Sequence, residues 1–342
     1  MPPLPIIFGC AGPTLTDDER AFFRDTDPFG YILFARNIEE PQQVRKLTDE
    51  LRTLTGRDDV PVLIDQEGGR VQRLRPPHWR AMPAAAAFGS LAQSNPEAGR
   101  RACWVNARLL AEDLRALGFT INCVPCLDLQ MPGAHAVIGD RAFAAEPETV
   151  IALGRAQAEA MLAGAVLPVM KHMPGHGRVQ VDSHERLPVV DTPVAELAQN
   201  DFLPFTRLSS LPIGMTAHVL YTALDPQRPG TLSARVNGEI IRRQFGFDGL
   251  LLSDDLDMQA LSGDIADRVT GALAAGCDVV LQCNGKLASM QAAASKCPAM
   301  TAQAAARWQA CARHLPDRVI DVDTAALTTE LQELLQGATA KA

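Results

Sequence analysis

Three histidines, a lysine and a carboxylate stand within the fourteen residues from Lys171 to His184, in the run Lys171-His172-Met173-Pro174-Gly175-His176-Gly177 followed by Val181-Asp182-Ser183-His184. Such a set can move protons, hold hydroxyl groups or ligate a metal. Pro174, Gly175 and Gly177 argue against a helix here, so the four-residue spacing of His172 and His176 does not make the zinc pair it would on a helical face. No metal is expected. Asp182 and His184 are two residues apart, and extended backbone projects such positions to one side. The carboxylate then fixes the ring tautomer, and an imidazole near neutrality both gives and takes protons. The bland alternative is a solvated loop pair.

A second concentration of carboxylates, Ser253-Asp254-Asp255, ends the apolar run Gly249-Leu250-Leu251-Leu252. An aspartate there can be a nucleophile, a metal ligand, or an N-cap for a helix over Leu256–Leu261. Asp65, at the end of Pro61–Asp65, offers two hydrogen-bond acceptors, and Arg73 and Arg141 offer planar donors. Each taken alone is more often a surface ion pair. His78, His135 and His314 carry no signal.

These groups need a scaffold that brings strand ends together. Apolar runs over Pro5–Gly9, Gly30–Phe34, Pro61–Asp65, Phe119–Val124, Ala165–Met170, Ile213–Thr216, Gly249–Ser253 and Asp278–Gln282 read as strands. Between them lie helical patterns such as Pro41–Leu54, Pro96–Leu117, Pro147–Ala163, Val194–Asp201 and Gly238–Phe245. This alternation predicts an α/β fold, a (β/α)8 TIM barrel built as a single domain over residues 1–342, with closing helices at about 298–336. Chemistry in such barrels sits at the C-terminal strand ends, where the histidine-rich run and Asp254 both fall. No GxGxxG follows the first strand, and Asn284-Gly285-Lys286 lacks the rest of a phosphate loop.

Composition excludes several classes. A hydrophobic content of 47% with a net charge of −8 describes a globular chain with a large core and no nucleic-acid footprint. No apolar run is long enough to cross a bilayer. The start of the chain reads as a first strand rather than a signal segment, because it lacks a basic region and a long apolar stretch. Of the eight cysteines only Cys123 and Cys126 form a CxxC pair, without the second pair a zinc site needs, and Cys126 reads as a small hydrophobe. Scattered thiols fit a reducing, cytoplasmic setting.

The same motifs carry a resemblance. KHMPGHG…DSH, together with Asp65-Gln66-Glu67-Gly68-Gly69-Arg70-Val71-Gln72-Arg73, Gly139-Asp140-Arg141-Ala142-Phe143, Met215-Thr216-Ala217-His218-Val219 and Ser253-Asp254-Asp255-Leu256-Asp257-Met258, resembles the β-N-acetylhexosaminidases of glycoside hydrolase family 3, the NagZ type of bacterial cell-wall recycling. Met173 stands where that family often has Phe. The resemblance implies a retaining exo-β-N-acetylglucosaminidase acting on muropeptides, without a cofactor. It implies Asp254 as nucleophile, His184 as acid/base and Asp182 as its orienter. Asp65, Arg73, Arg141, Lys171 and His172 are implied as the sugar-binding set. Glu67, Arg70 and Asp128 read as supporting residues, His176 as a brace for its loop, and His218 as near-site support. The implied partner is a small saccharide, with neither nucleic acid nor membrane, and the expected state is a monomer. A β-N-acetylglucosaminide phosphorylase remains an alternative. So does a metal-dependent hydrolase using His172, His176, His184 and Asp254, and so does a sugar-binding protein without catalysis.

Overall fold

The structure is a computed structural model that describes residues 2–57 and 59–339. Strands β1 (Leu4–Gly9), β2 (Pro28–Leu33), β3 (Val62–Ile64), β4 (Ile121–Asn122), β5 (Leu167–Met173), β6 (Ile213–Thr216), β7 (Leu250–Asp255) and β8 (Val279–Gln282) form a closed barrel in chain order. Every neighbouring pair in it is parallel. The crossovers carry α1 (Asp17–Thr26), α2 (Pro41–Thr53), the pair α3 (Ala85–Ser94) and α4 (Pro96–Ala116), α5 (Pro147–Ala163), the short α6 (Val194–Gln199) and α7 (Leu203–Arg207), a π-helical segment Val236–Gln244, and α8 (Ile265–Ala274). After β8 come α9 (Leu287–Ser295), α10 (Ala302–Cys311) and α11 (Thr324–Thr339). Among the described residues no helix is long and apolar enough to cross a membrane.

The strands are apolar on both faces because both are covered, and the two faces alternate. Ile7, Ile32, Leu63, Ile121, Leu167, Val169, Ile213, Met215, Leu250, Leu252, Val279 and Leu281 form one cluster inside the barrel. The residues between them, such as Ile6, Phe8, Tyr31, Val62, Ile64, Met170, Leu251 and Val280, join a second cluster under the helices. Each fully buried aliphatic side chain contributes roughly 1.5–3 kcal/mol, so this pattern fixes the register. Met300, Ala304 and Cys311 join the inner cluster, and Trp308 meets Phe29 edge-on at 5.0 Å, so α10 closes the N-terminal end of the barrel. α11 packs on α3 and α4, where Arg101 donates twice to Glu330.

Two local expectations are corrected, and one alternative is excluded. The strand expected over Phe119–Val124 shrinks to Ile121–Asn122 before the cis Val124–Pro125 bond; there the Asn122 side chain, not a longer ladder, pairs with the Gln66 backbone. The helix expected over Gly238–Phe245 is π-wound over Val236–Gln244. Asp254 is not an N-cap: the stretch after it is a series of turns, and the next helix, α8, is capped by Asp264.

Candidate active site

The inner-face period continues past the strand ends and decides what lines the barrel mouth. Two residues beyond Ile32, Leu63, Val169, Leu252 and Leu281 stand Phe34, Asp65, Lys171, Asp254 and Cys283, and all five line one cavity of about 280 Å3. At two places a second, consecutive residue also reaches it. In β5 the register against β6 slips between Met170 and Met173, and Lys171 and His172, joined by a cis peptide, both face the cavity. In β7 the register against β8 slips between Leu252 and Asp255, and Asp254 and Asp255 both face it. Such bulges re-aim side chains at functional sites.

The wall on the β3–β5 side is a chain of charges, with Glu67 and Lys171 buried and Asp65, Arg73 and Arg141 half-buried. Lys171 Nζ lies 2.9 Å from Asp65 Oδ1 and 2.6 Å from Glu67 Oε1. Glu67 also accepts both arms of Arg141, at 2.9 and 2.8 Å, and Arg73 reaches Asp65 at 3.4 Å. Burial alone would drive these groups toward their neutral forms. Instead the partners win: Arg141 and Lys171 hold Glu67 down to about 2, Asp65 is likewise held well below the carboxylate range by Lys171 and Arg73, and Lys171 is pushed up by the two carboxylates. Gly68 makes this turn possible, since its φ of +105° and the Pro83 carbonyl packed against its Cα leave no room for a side chain.

Behind His172 stands Asp128. It takes the His172 ring Nδ1 at 2.7 Å, the His176 N–H at 2.6 Å and the Cys126 thiol at 3.3 Å. Cys126 is therefore a donor as well as a small apolar group. The ligand atoms of Cys126, Asp128 and His172 lie within 4.8 Å of one another, a donor set a metal ion could use, but both hydrogens are already given to Asp128. His176 bridges to Ser183 Oγ at 3.2 Å, and burial, with His172 next to it, lowers its imidazole to about 4, so it is a neutral brace across the loop. Gly177 lets that loop approach the Leu129 backbone so closely that a Cβ would collide with the Leu129 carbonyl.

The opposite rim carries Asp182 and His184. His184 Nδ1 lies 2.7 Å from Asp182 Oδ1, and the same oxygen accepts the His184 N–H at 2.9 Å. The pair is thus made by a tight turn that begins at Asp182, not by extended backbone as the spacing suggested. The arrangement leaves Nε2 as the free ring nitrogen. Its side chain is 66% exposed, and it lines the same cavity as Asp254. Burial would raise the Asp182 carboxyl; the two His184 hydrogen bonds more than offset this and lower it.

Asp254 Oδ1 accepts the Asp255 N–H at 2.8 Å, and its second oxygen has no hydrogen-bond partner among the described residues and is open to the cavity. Burial opposes its charge, yet His172, the Asp255 N–H and Lys171 together hold it below the usual range. It is therefore an anion with one oxygen free to react. His218 does not enter the cavity: it is fully buried, bonded to Thr231 at 2.7 Å and to Asp255 O at 2.9 Å, and burial keeps it neutral. Arg70 ties Asp140 and the carbonyls of Ala136, Val137 and Ile138 together, shaping the rim. Phe34, Cys283, Met258 and Ser183 were not singled out from the sequence, although the inner-face period points to the first two.

An anionic carboxylate facing a carboxylate-oriented imidazole, over a wall of fixed donors and acceptors, is equipped for general acid/base-assisted substitution on a polyhydroxylated substrate. The description "Glycosyl hydrolase family 3 N terminal domain" matches residues 14–313. A β-hexosaminidase of Bordetella avium is 40% identical over 288 residues, which are 83% of this chain and 81% of that protein. One of Pseudomonas aeruginosa is 40% identical over 85% of each chain. The solved structure of NagZ from Neisseria gonorrhoeae with N-trifluoroacetyl-D-glucosamine has a TM-score of 0.84 and 31% identity, over 99% of this chain and 98% of that one.

Proposed function

The chain belongs to glycoside hydrolase family 3 and is a β-N-acetylhexosaminidase, and from that premise we propose that it works by a double displacement on Asp254. Asp254 attacks the anomeric carbon while His184 Nε2 gives its proton to the departing oxygen; His184 then takes a proton from water, which releases the sugar from Asp254 with net retention. Asp182 holds the ring so that Nε2 faces the bond being broken. Asp65, Arg73, Arg141, Lys171 and His172 bind the ring hydroxyls. The observation that supports this reading above the others is the free oxygen of ionised Asp254 in the same cavity as His184.

The substrate proposed is a muropeptide whose terminal N-acetylglucosamine is β-1,4-linked to anhydro-N-acetylmuramic acid, taken up as a small saccharide by a monomer in the cytoplasm. The motif likeness to the cell-wall-recycling branch supports it. The chain acts on it as one barrel domain. A 5-fluoro-N-acetylglucosaminide with a good leaving group slows breakdown of the intermediate more than its formation, so the test is mass spectrometry of the peptide spanning Phe247–Met258. A glycosyl adduct on Asp254 supports the mechanism. An oxazoline product with no labelled peptide assigns the attack to the substrate's own acetamido group instead. Release of N-acetylglucosamine from purified anhydro-muropeptides, compared with chitobiose, tests the substrate.

A further inference from the structure

Four residues at the end of β7 hold three carboxylates, and the double displacement uses one of them. Asp257 is fully engaged: it accepts from Gln282 Nε2, the N–H groups of Cys283 and Asn284, and Asn284 Nδ2, at 2.9 to 3.1 Å. Asp255 is not. Its Oδ1 accepts the N–H groups of Asp257 and Cys283, both at 3.1 Å, which fixes the carboxyl in place. The Cys283 thiol also reaches this carboxyl, no cation pairs with it among the described residues, and the residue lines the cavity. The slip in register between Leu252 and Asp255 is what turns it there; an unbroken strand would alternate, sending Asp255 to the helix side as Leu251 is sent.

We propose that Asp255 contacts the substrate: its cavity-lining carboxyl, carrying a proton, donates a hydrogen bond to the carbonyl of the 2-acetamido group and makes the site prefer N-acetylated over plain hexosides. The inference rests on Asp254 as nucleophile. A sugar whose C1 meets Asp254 carries its 2-acetamido group on the adjacent carbon, within reach of the other carboxyl that lines the cavity beside Asp254. Among the described residues that face Asp255, no cation is paired with it. Asp254 and Asp257 flank it on its own segment, the Cys283 thiol comes from β8, and neutral His218 touches its carbonyl. Arg268 of α8 is spent on the carbonyls of Leu256 and Met258, and Arg36 on those of Cys10 and Cys283. Burial and the Asp257 charge accordingly push the Asp255 carboxyl up to about 7, so that below neutrality it becomes a donor. An ionised carboxylate would repel the acetamido carbonyl.

The experiment compares kcat/KM for an aryl β-N-acetylglucosaminide and the matching aryl β-glucoside, and follows their ratio. Asp255→Ala is expected to lower the ratio at least tenfold at pH 6, through loss on the N-acetylated substrate. Asp255→Asn keeps the Oδ1 acceptor and supplies a permanent donor, and is expected to restore most of the ratio. In the wild-type protein the ratio should fall as pH rises through 7, while in Asp255→Asn it stays flat. His184 serves both leaving groups, so its contribution cancels in the ratio, and the wild-type profile needs no variant to fold. Equal losses on both substrates, or a wild-type ratio constant from pH 5.5 to 8.5, would overturn the inference and leave Asp255 as a support for the strand end. Failure of the nucleophile assignment shows differently: Asp255→Ala would then abolish turnover of both glycosides, and the trapped sugar would not lie on Asp254.

Discussion

The two sides of the cavity are built on opposite plans. The β3–β5 wall places Asp65, Glu67, Lys171 and Arg141 in a continuous network, and Lys171 is only 1% exposed. The facing loop presents His184 on a single turn, two-thirds exposed, with Asp182 as its ring partner. Buried ion pairs cost desolvation and give geometry in return, which suits a surface that must recognise fixed hydroxyl positions. A proton-transfer group needs access to leaving group and water in turn, which suits an exposed ring. On the proposed mechanism, recognition and proton transfer would thus fall to groups held in different ways.

The largest effect falls where the two sides meet. Asp254→Ala should reduce kcat by about 10^4-fold or more, as loss of a covalent nucleophile does, with little change in thermal stability because Asp254 is a strand-end residue outside the apolar clusters. Circular dichroism melts alongside turnover of an activated aryl N-acetylglucosaminide measure both. If Asp255→Ala were the inactive variant and Asp254→Ala ran near wild type, the division of labour at the end of β7 would be reversed.

On the loop side, His184→Ala should cost about 10^2- to 10^4-fold with poor leaving groups and far less with an activated phenol, which departs without an acid. Asp182→Ala should show a weaker version of the same pattern. Neither should move the melting temperature by more than a degree or so, given the exposure of the ring. A series of aryl glycosides of rising phenol pKa reads this directly, and equal losses along the series would make His184 a binding residue.

On the wall side the order of effects inverts. Glu67→Gln leaves Arg141 without its carboxylate and Lys171 with Asp65 alone, so it should destabilise by about 3–5 kcal/mol near neutrality and raise KM through Lys171. Glu67 has its carboxyl held down to about 2 by Arg141 and Lys171 against burial. Its ionic contribution is therefore complete above the unfolded value and is lost as pH falls from there toward 2. Acid melts should show a steeper loss for wild type than for Glu67→Gln across that window. A variant as stable as wild type at neutral pH would mean that the network contributes geometry alone.

Much of this was legible in the chain. Apolar runs gave the barrel, since both faces of each strand are covered and a short run such as Leu250–Leu252 has nowhere else to go. The motif favours Asp254 over Asp255, and the inner-face period Leu250, Leu252, Asp254 points the same way, although the register slip brings both to the cavity. What was not legible are the slips in register, because a bulge depends on the neighbouring strand: nothing in Lys171-His172 or Asp254-Asp255 alone says that both members of each pair turn inward. The Asp182–His184 pair was expected for the wrong backbone, extended rather than turned, because two residues of spacing allow either. The double grip of Glu67 on Lys171 and Arg141 joins residues 74 positions apart at the Arg141 end, beyond the reach of any local pattern.

The smallest predicted effect concerns how the wall aims its free arm. Arg73 is held more loosely than Arg141: its contact to Asp65 is 3.4 Å, and its buried Nε has no partner among the described residues. Its guanidinium lies 5.5 Å from the centre of the Phe34 ring, which also carries Arg36 at 4.9 Å, and Arg36 is anchored to the Cys10 and Cys283 carbonyls. The ring therefore orients Arg73 through its π face and not through its bulk. Phe34→Leu keeps an apolar side chain of similar reach and removes that face. A cation–π contact at a partly exposed site is worth about 0.5–1 kcal/mol, so KM should rise by about two- to fivefold with kcat unchanged. The ring touches no reacting atom, and Phe34→Tyr, which keeps the face, should restore KM. If Phe34→Leu lowered kcat while sparing KM, the ring would be shaping the reacting centre, and the separation of the recognising wall from the proton-transferring loop would not hold at β2.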